Sequence, residues 1–181
     1  MDHPLGPLTI EDWLATASPT DGSHLELVLG YRHVTPPPSG SHQYAVAGLY
    51  RALEDARDTA GRAELSVLPG IGVRISTPWR TALIPDVAML DTDPHHTSFA
   101  AENLLLAVEV WSPGNTRAER DTKMAAYAGA GVPYLWTVEP PKLWAYRLAG
   151  TGYRQELFTE GGGPVTLPGP VPVPLDPSRL C

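Results

Sequence analysis

A chain of 181 residues has the length of one domain. With 43% apolar and 18% charged residues it can build a core, which excludes a disordered tail protein or a long solvated coiled coil. Thirteen Lys and Arg against twenty Asp and Glu leave a net charge of −7, which counts against a constitutive nucleic-acid-holding module and less against an enzyme that gathers carboxylates around cations.

Prolines punctuate the chain. Six lie in the first forty residues, including Pro36-Pro37-Pro38, none between 39 and 68, and six between 164 and 177. Thr9-Ile10-Glu11-Asp12 followed by Trp13-Leu14 predicts a short helix with Thr9 as N-cap and Asp12 closing a capping box. Residues 24–34 alternate around Leu25, Leu27 and Leu29 and predict a strand or hairpin. Residues 41–60 carry the helical spacing of a long amphipathic helix. Short strand signals follow at 63–68 and 71–75 on either side of Pro69-Gly70, then stronger apolar runs at 81–90 and 103–111. Thr116 with Glu119 opens a second helix by another capping box, and Gly131 stops it near residue 130. Residues 134–138, 143–148 and 153–158 complete the strands, and the tail 164–181 is Pro-rich and extended, either an edge segment or loosely attached. This order predicts a single α/β domain over 1–181, a mixed central sheet flanked by helices.

Cys181 is the only cysteine, which excludes a disulfide framework and Cys-based zinc. No apolar run approaches a membrane span and the residues after Met1 do not read as a signal peptide, so the expected location is the cytoplasm.

The run Leu104-Leu105-Leu106-Ala107-Val108-Glu109-Val110-Trp111 is apolar on both faces, as in a central strand covered on both sides. Glu109 inside it needs a partner: an arginine such as Arg117 or Arg120, a protonation shift, or a metal. In Ile84-Pro85-Asp86 the proline has no N–H to give a ladder, so a strand begins or bulges there and holds Asp86 at an irregular edge. Lys123 is one of only two lysines beside eleven arginines; it lies four residues after Glu119, with which it could form a helix salt bridge. A lysine is also the compact point charge suited to a phosphate. Two carboxylates on neighbouring strands with a nearby lysine are what metal-assisted phosphodiester hydrolysis uses, the acids holding Mg²⁺ (or Mn²⁺) and the lysine orienting water or phosphate. His24, His33 and His42 recur every nine residues but fall on different elements, and His95-His96 reads as a solvated loop. Trp136 and Trp144 read as core or interface residues.

The chain also resembles a family. Ile84-Pro85-Asp86, Val108-Glu109-Val110-Trp111-Ser112-Pro113-Gly114-Asn115-Thr116, Arg120-Asp121-Thr122-Lys123-Met124-Ala125-Ala126-Tyr127 and Gly131-Val132-Pro133-Tyr134-Leu135-Trp136 are similar to the Uma-two endonuclease family, of the PD-(D/E)XK restriction-endonuclease-like superfamily. The resemblance extends back through Thr9-Ile10-Glu11-Asp12, Glu26-Leu27-Val28 and Ser41-His42-Gln43. It implies a restriction-endonuclease-like fold, Asp86 and Glu109 as metal ligands, Lys123 as the catalytic lysine, and Glu26 and His42 in support. The superfamily's lysine usually stands two residues after the acid, where this chain has Trp111, and two acids of the family's hairpin pattern are replaced by Leu29 and Tyr31. The expected activity is endonucleolytic hydrolysis of DNA. Because a duplex takes two cuts, a homodimer is expected, with the apolar strands between 134 and 158 offering a surface. The alternative is a non-catalytic dimeric regulator or assembly protein on the same fold.

Overall fold

The structure, a computed structural model, describes residues 5–181. Helix α1 (Ile10–Ala15) opens on the expected reciprocal capping box between Thr9 and Asp12. Strands β1 (His24–Val28) and β2 (Tyr31–Thr35) form an antiparallel hairpin, and α2 (Gly40–Thr59) starts from Ser39, whose hydroxyl accepts the His42 N–H. Then come β3 (Ser66–Pro69), β4 (Val73–Ser76), β5 (Thr81–Leu83), β6 (Val87–Leu90), β7 (Phe99–Ala100) and β8 (Leu104–Val110). Helix α3 (Arg117–Gly129) opens on the Thr116–Glu119 capping box, and β9 (Tyr134–Glu139), β10 (Lys142–Ala149), β11 (Gly152–Thr159), β12 (Val165–Leu167) and β13 (Val173–Leu175) follow.

The strands do not join into one sheet. A six-stranded mixed sheet runs β11-β10-β9-β8-β6-β3, a five-stranded sheet runs β2-β1-β5-β4-β7, and β12-β13 is a separate ribbon. The division falls where the backbone cannot continue a ladder. The apolar run 81–90 becomes two strands because Ile84-Pro85-Asp86 interrupts it: β5 pairs with β1 and β4, whereas β6 pairs with β3 and β8. Gly70-Ile71-Gly72 makes the same crossing between β3 and β4, and Gly72 leaves no room for a side chain, since an added Cβ would lie 2.6 Å from the Trp13 ring.

Strand β8 lies between antiparallel β6 and parallel β9, and both its faces are covered. Leu106, Val108 and Val110 share a core with Leu49 and Leu53 of α2, and Ala107 shares the opposite core with Tyr127 of α3. The Pro-rich tail is neither loose nor an edge of the main sheet. Leu167, Val173 and Leu180 are buried in the α2 core, and the fully buried Trp136 donates its indole N–H to the Pro168 carbonyl at 2.8 Å. Trp136 is therefore a core residue and no part of a surface. Among the described residues no helix is long and apolar enough to cross a membrane.

The hairpin β1–β2 is held from outside by residues near the start of the described chain. Gly6 donates to the Leu29 carbonyl at 2.7 Å and accepts from the Arg80 guanidinium at 2.7 Å, while Gly30 donates to the Arg80 carbonyl at 2.8 Å. Leu29, Gly30 and Arg80 all take positive φ in these facing turns. A Cβ on Gly6 would sit 2.3 Å from the Gly30 oxygen, so Gly6→Ala must push the two backbones apart. The expected cost is about 1–3 kcal/mol, read as a lower midpoint in thermal melts; an unchanged midpoint would mean that this staple contributes nothing.

Candidate active site

The hairpin, the β5–β6 crossing, β8 and α3 all bring charged side chains to a common cleft. Glu26 of β1 is 1% exposed, and its Oε1 accepts from the Ile84 N–H at 2.8 Å and from Lys123 Nζ at 2.9 Å. Glu109 accepts from Lys123 Nζ at 3.2 Å on Oε2 and 3.4 Å on Oε1, and from the Tyr127 hydroxyl at 2.7 Å on Oε1. The antiparallel register pairs Val87 with Val108, so one step further along Asp86 stands beside Glu109. Asp86 accepts the Val110 N–H at 2.7 Å on Oδ2 and the His42 Nε2–H at 2.9 Å on Oδ1. Asp86, Glu109, Lys123, Glu26 and His42 thus line one cleft of about 400 Å³, walled by Pro36-Pro37-Pro38 and by the loop Ser112-Pro113-Gly114-Asn115.

Lys123 is the central cation. Its helix places it within reach of two buried carboxylates rather than Glu119, which instead caps the Thr116 N–H and accepts from His33 Nε2 at 2.9 Å. Burial opposes the lysine's charge, but Glu109 and Glu26 overcome it and hold its pKa above the ordinary value. Burial likewise opposes the charge on Glu26, yet Lys123, His33 and the Ile84 N–H keep its pKa below the usual glutamate value. Glu109 goes the other way: burial, reinforced by the charges of Asp86 and Glu26 and only partly offset by Lys123, pushes it up to about 7. One ammonium does not compensate the acids gathered here. Burial and the negative charge of Glu109 and Glu26 raise Tyr127 well above its ordinary value, so its hydroxyl remains a donor. His42 is raised by its hydrogen bond to Asp86 against partial burial.

Two participants escaped the sequence reading. His33 stands on β2, with Nδ1 3.7 Å from Glu26 Oε2 and Nε2 on Glu119; Glu26 first and Glu119 second raise its pKa. Tyr127, one helical turn after Lys123, was legible in principle as a polar-tipped aromatic on the same helix face. Neither arginine considered for Glu109 pairs with it, since Arg120 pairs with Glu139 and Arg117 with Asp121. Leu29 and Tyr31 do not line the cleft, so these two departures from the family pattern remove no carboxylate from it. His24 lines the cleft with His33 and His42, but among the described residues no three His, Cys, Asp or Glu side chains are arranged as a metal-holding group. His95 bonds Asp93 in an exposed loop.

The architecture is the mixed α/β fold of restriction-endonuclease-like proteins. It superposes on the crystal structure of a "putative nuclease belonging to DUF820" from Anabaena variabilis ATCC 29413 with a TM-score of 0.74 at 16% identity, covering 96% of this chain and 97% of that one. The chain belongs to the Uma2 family, described as "Putative restriction endonuclease", whose model matches residues 10–176. No curated protein matches it.

Proposed function

We propose that this chain is a cytoplasmic endonuclease that hydrolyses DNA phosphodiester bonds with Mg²⁺ or Mn²⁺. The observation that carries the reading is the convergence of Lys123 on Glu26 and Glu109 in the cleft that Asp86 also lines. The donor set suits a hard divalent ion: Asp86 and Glu109 stand side by side on paired strands and both line the cleft, and Glu109 is raised to about 7 by burial and by its acidic neighbours. Asp86 and Glu109 would hold the ion. When bound, the ion lowers the pKa of the attacking water and offsets charge on the phosphoryl oxygens.

The chain's own groups prepare the rest. The Val110 N–H and His42 fix Asp86, and Tyr127 and Lys123 fix Glu109. Lys123 serves as a cation and hydrogen-bond donor to water or phosphate, since its two carboxylates hold its proton on and deny it the role of base. Glu26 keeps that ammonium in place when Glu109 is engaged elsewhere.

Plasmid DNA with Mg²⁺ or Mn²⁺ at low salt is the test, because an acidic protein has few phosphate contacts to spare. Cleavage is expected, and Asp86→Asn should lower its rate at least about a hundredfold, as an ion supplying several kcal/mol at about 1.4 kcal/mol per tenfold implies. Equal rates in wild type and variant would move the chemistry elsewhere. The reading includes a homodimer that makes both cuts, so linear product should appear together with nicked circles; nicked circles alone would argue against paired centres.

A further inference from the structure

We propose that Tyr127 is a positioning residue that fixes the Glu109 carboxylate for the ion. The inference rests on the reading of Glu109 as an ion ligand and adds a part to it. Lys123 and Tyr127 lie four residues apart on α3, so both point from one helix face to the same carboxylate. They do not hold it equally. The tyrosine hydroxyl gives Oε1 a bond of 2.7 Å, while the ammonium meets Glu109 at 3.2 and 3.4 Å and lies closer, at 2.9 Å, to Glu26. Tyr127 has no exposed surface and Glu109 only 3%, so water cannot replace the hydroxyl as donor.

The two donors therefore have different tasks. Lys123 is shared between two acids and is the group that turns to water or phosphate. Tyr127 has a single, short bond, and it keeps Oε1 oriented whether or not Lys123 is engaged. With Oε1 so held, Oε2, whose only hydrogen-bond partner among the described residues is Lys123, is the oxygen left to face an ion. Partners that orient ligating carboxylates in this way change metal affinity or activity by about 10–100-fold when removed.

The experiment is Mn²⁺ binding by calorimetry to the full chain, as wild type, Tyr127→Phe, Glu109→Gln and Tyr153→Phe, with thermal melts in EDTA to report folding. Tyr153 controls for the loss of a hydrogen-bonded tyrosine hydroxyl, since it is half-buried against the same core and donates to the Val132 carbonyl at 2.8 Å without touching Glu109. Tyr127→Phe is expected to weaken Mn²⁺ about 10–100-fold and to lower kcat with an unchanged KM for DNA, while Tyr153→Phe binds as wild type. Wild-type affinity in Tyr127→Phe, or equal weakening in Tyr153→Phe, overturns the positioning role and leaves the nuclease reading standing. If wild type binds Mn²⁺ no better than Glu109→Gln, the ligand assignment itself fails, and the role of Tyr127 with it.

Discussion

Lys123→Met is expected to abolish cleavage and to lower stability by about 3–5 kcal/mol at pH 8 in EDTA, the range for removing one partner of a buried ion pair. Lys123 joins Glu26 and Glu109, whose side chains are 1% and 4% exposed, and methionine fills its volume without its charge. Both carboxylates would then stay buried, close to Asp86, without the ammonium that joins them. At about 2–4 °C per kcal/mol for a chain of this size, the midpoint should fall on the order of 10 °C. The pH dependence has a definite sign. Lys123 has a folded pKa above its ordinary value, so its contribution is present throughout the range below that value. In the variant the unpaired acids titrate upward, and protonating them removes the uncompensated charge. The gap between wild type and variant should therefore be widest at pH 8 and narrow towards pH 5. Melts of both proteins at the two pH values measure it, and equal midpoints at pH 8 would mean that the acids are not charged together.

What the sequence makes legible is the part encoded within a few residues. Thr9 with Asp12 and Thr116 with Glu119 announce their helices because a capping box is complete in four positions. The run from Leu104 to Val110 announces a doubly covered strand because both its faces are apolar. The partition into two sheets is not local. The residues of 81–90 read as one strand, and only the pairing of β5 with β1 and of β6 with β8 separates them, with Pro85 as the single trace. The tail has the same difficulty: alternating prolines describe an extended chain equally well free or, as here, folded into a ribbon against α2. For the site, the resemblance names Asp86, Glu109, Lys123, Glu26 and His42, and these five line one cleft. It does not name how they are joined. Glu26 and Lys123 are 97 residues apart, and nothing in either neighbourhood says that the lysine will pass over Glu119, the acid one turn earlier on the helix, for a carboxylate on the hairpin. Burial decides that choice. Glu119 is half-exposed and is taken by its cap and by His33, so Lys123 turns inward to Glu26 and Glu109.

Glu109→Gln is expected to stabilise the protein in EDTA at pH 8 and to lose that advantage when Mn²⁺ is present. The folded pKa of Glu109, about 7, lies above the ordinary glutamate value of 4.5. An acid raised in this way supports the fold fully below its unfolded pKa, and that support is lost as pH rises through the folded one. Wild type should accordingly weaken between about pH 4.5 and 7, by roughly 3 kcal/mol at about 1.4 kcal/mol per unit. Glutamine has no such titration; it still accepts the Tyr127 hydroxyl, but turns an amide N–H₂ towards Lys123, so a net gain nearer 2 kcal/mol is expected at pH 8. Mn²⁺ reverses the order, because it binds the folded wild type through a Glu109 carboxylate that the variant lacks. At about a hundredfold excess over Kd the ion contributes roughly 2.7 kcal/mol, a rise on the order of 5–10 °C in the wild-type midpoint. The measurement is a set of melts from pH 5 to 8, with EDTA and with millimolar Mn²⁺, on both proteins. A wild type indifferent to Mn²⁺, with Glu109→Gln less stable than it in EDTA, would make Glu109 a structural partner of Lys123 and Tyr127 and leave the fold in the service of a non-catalytic role.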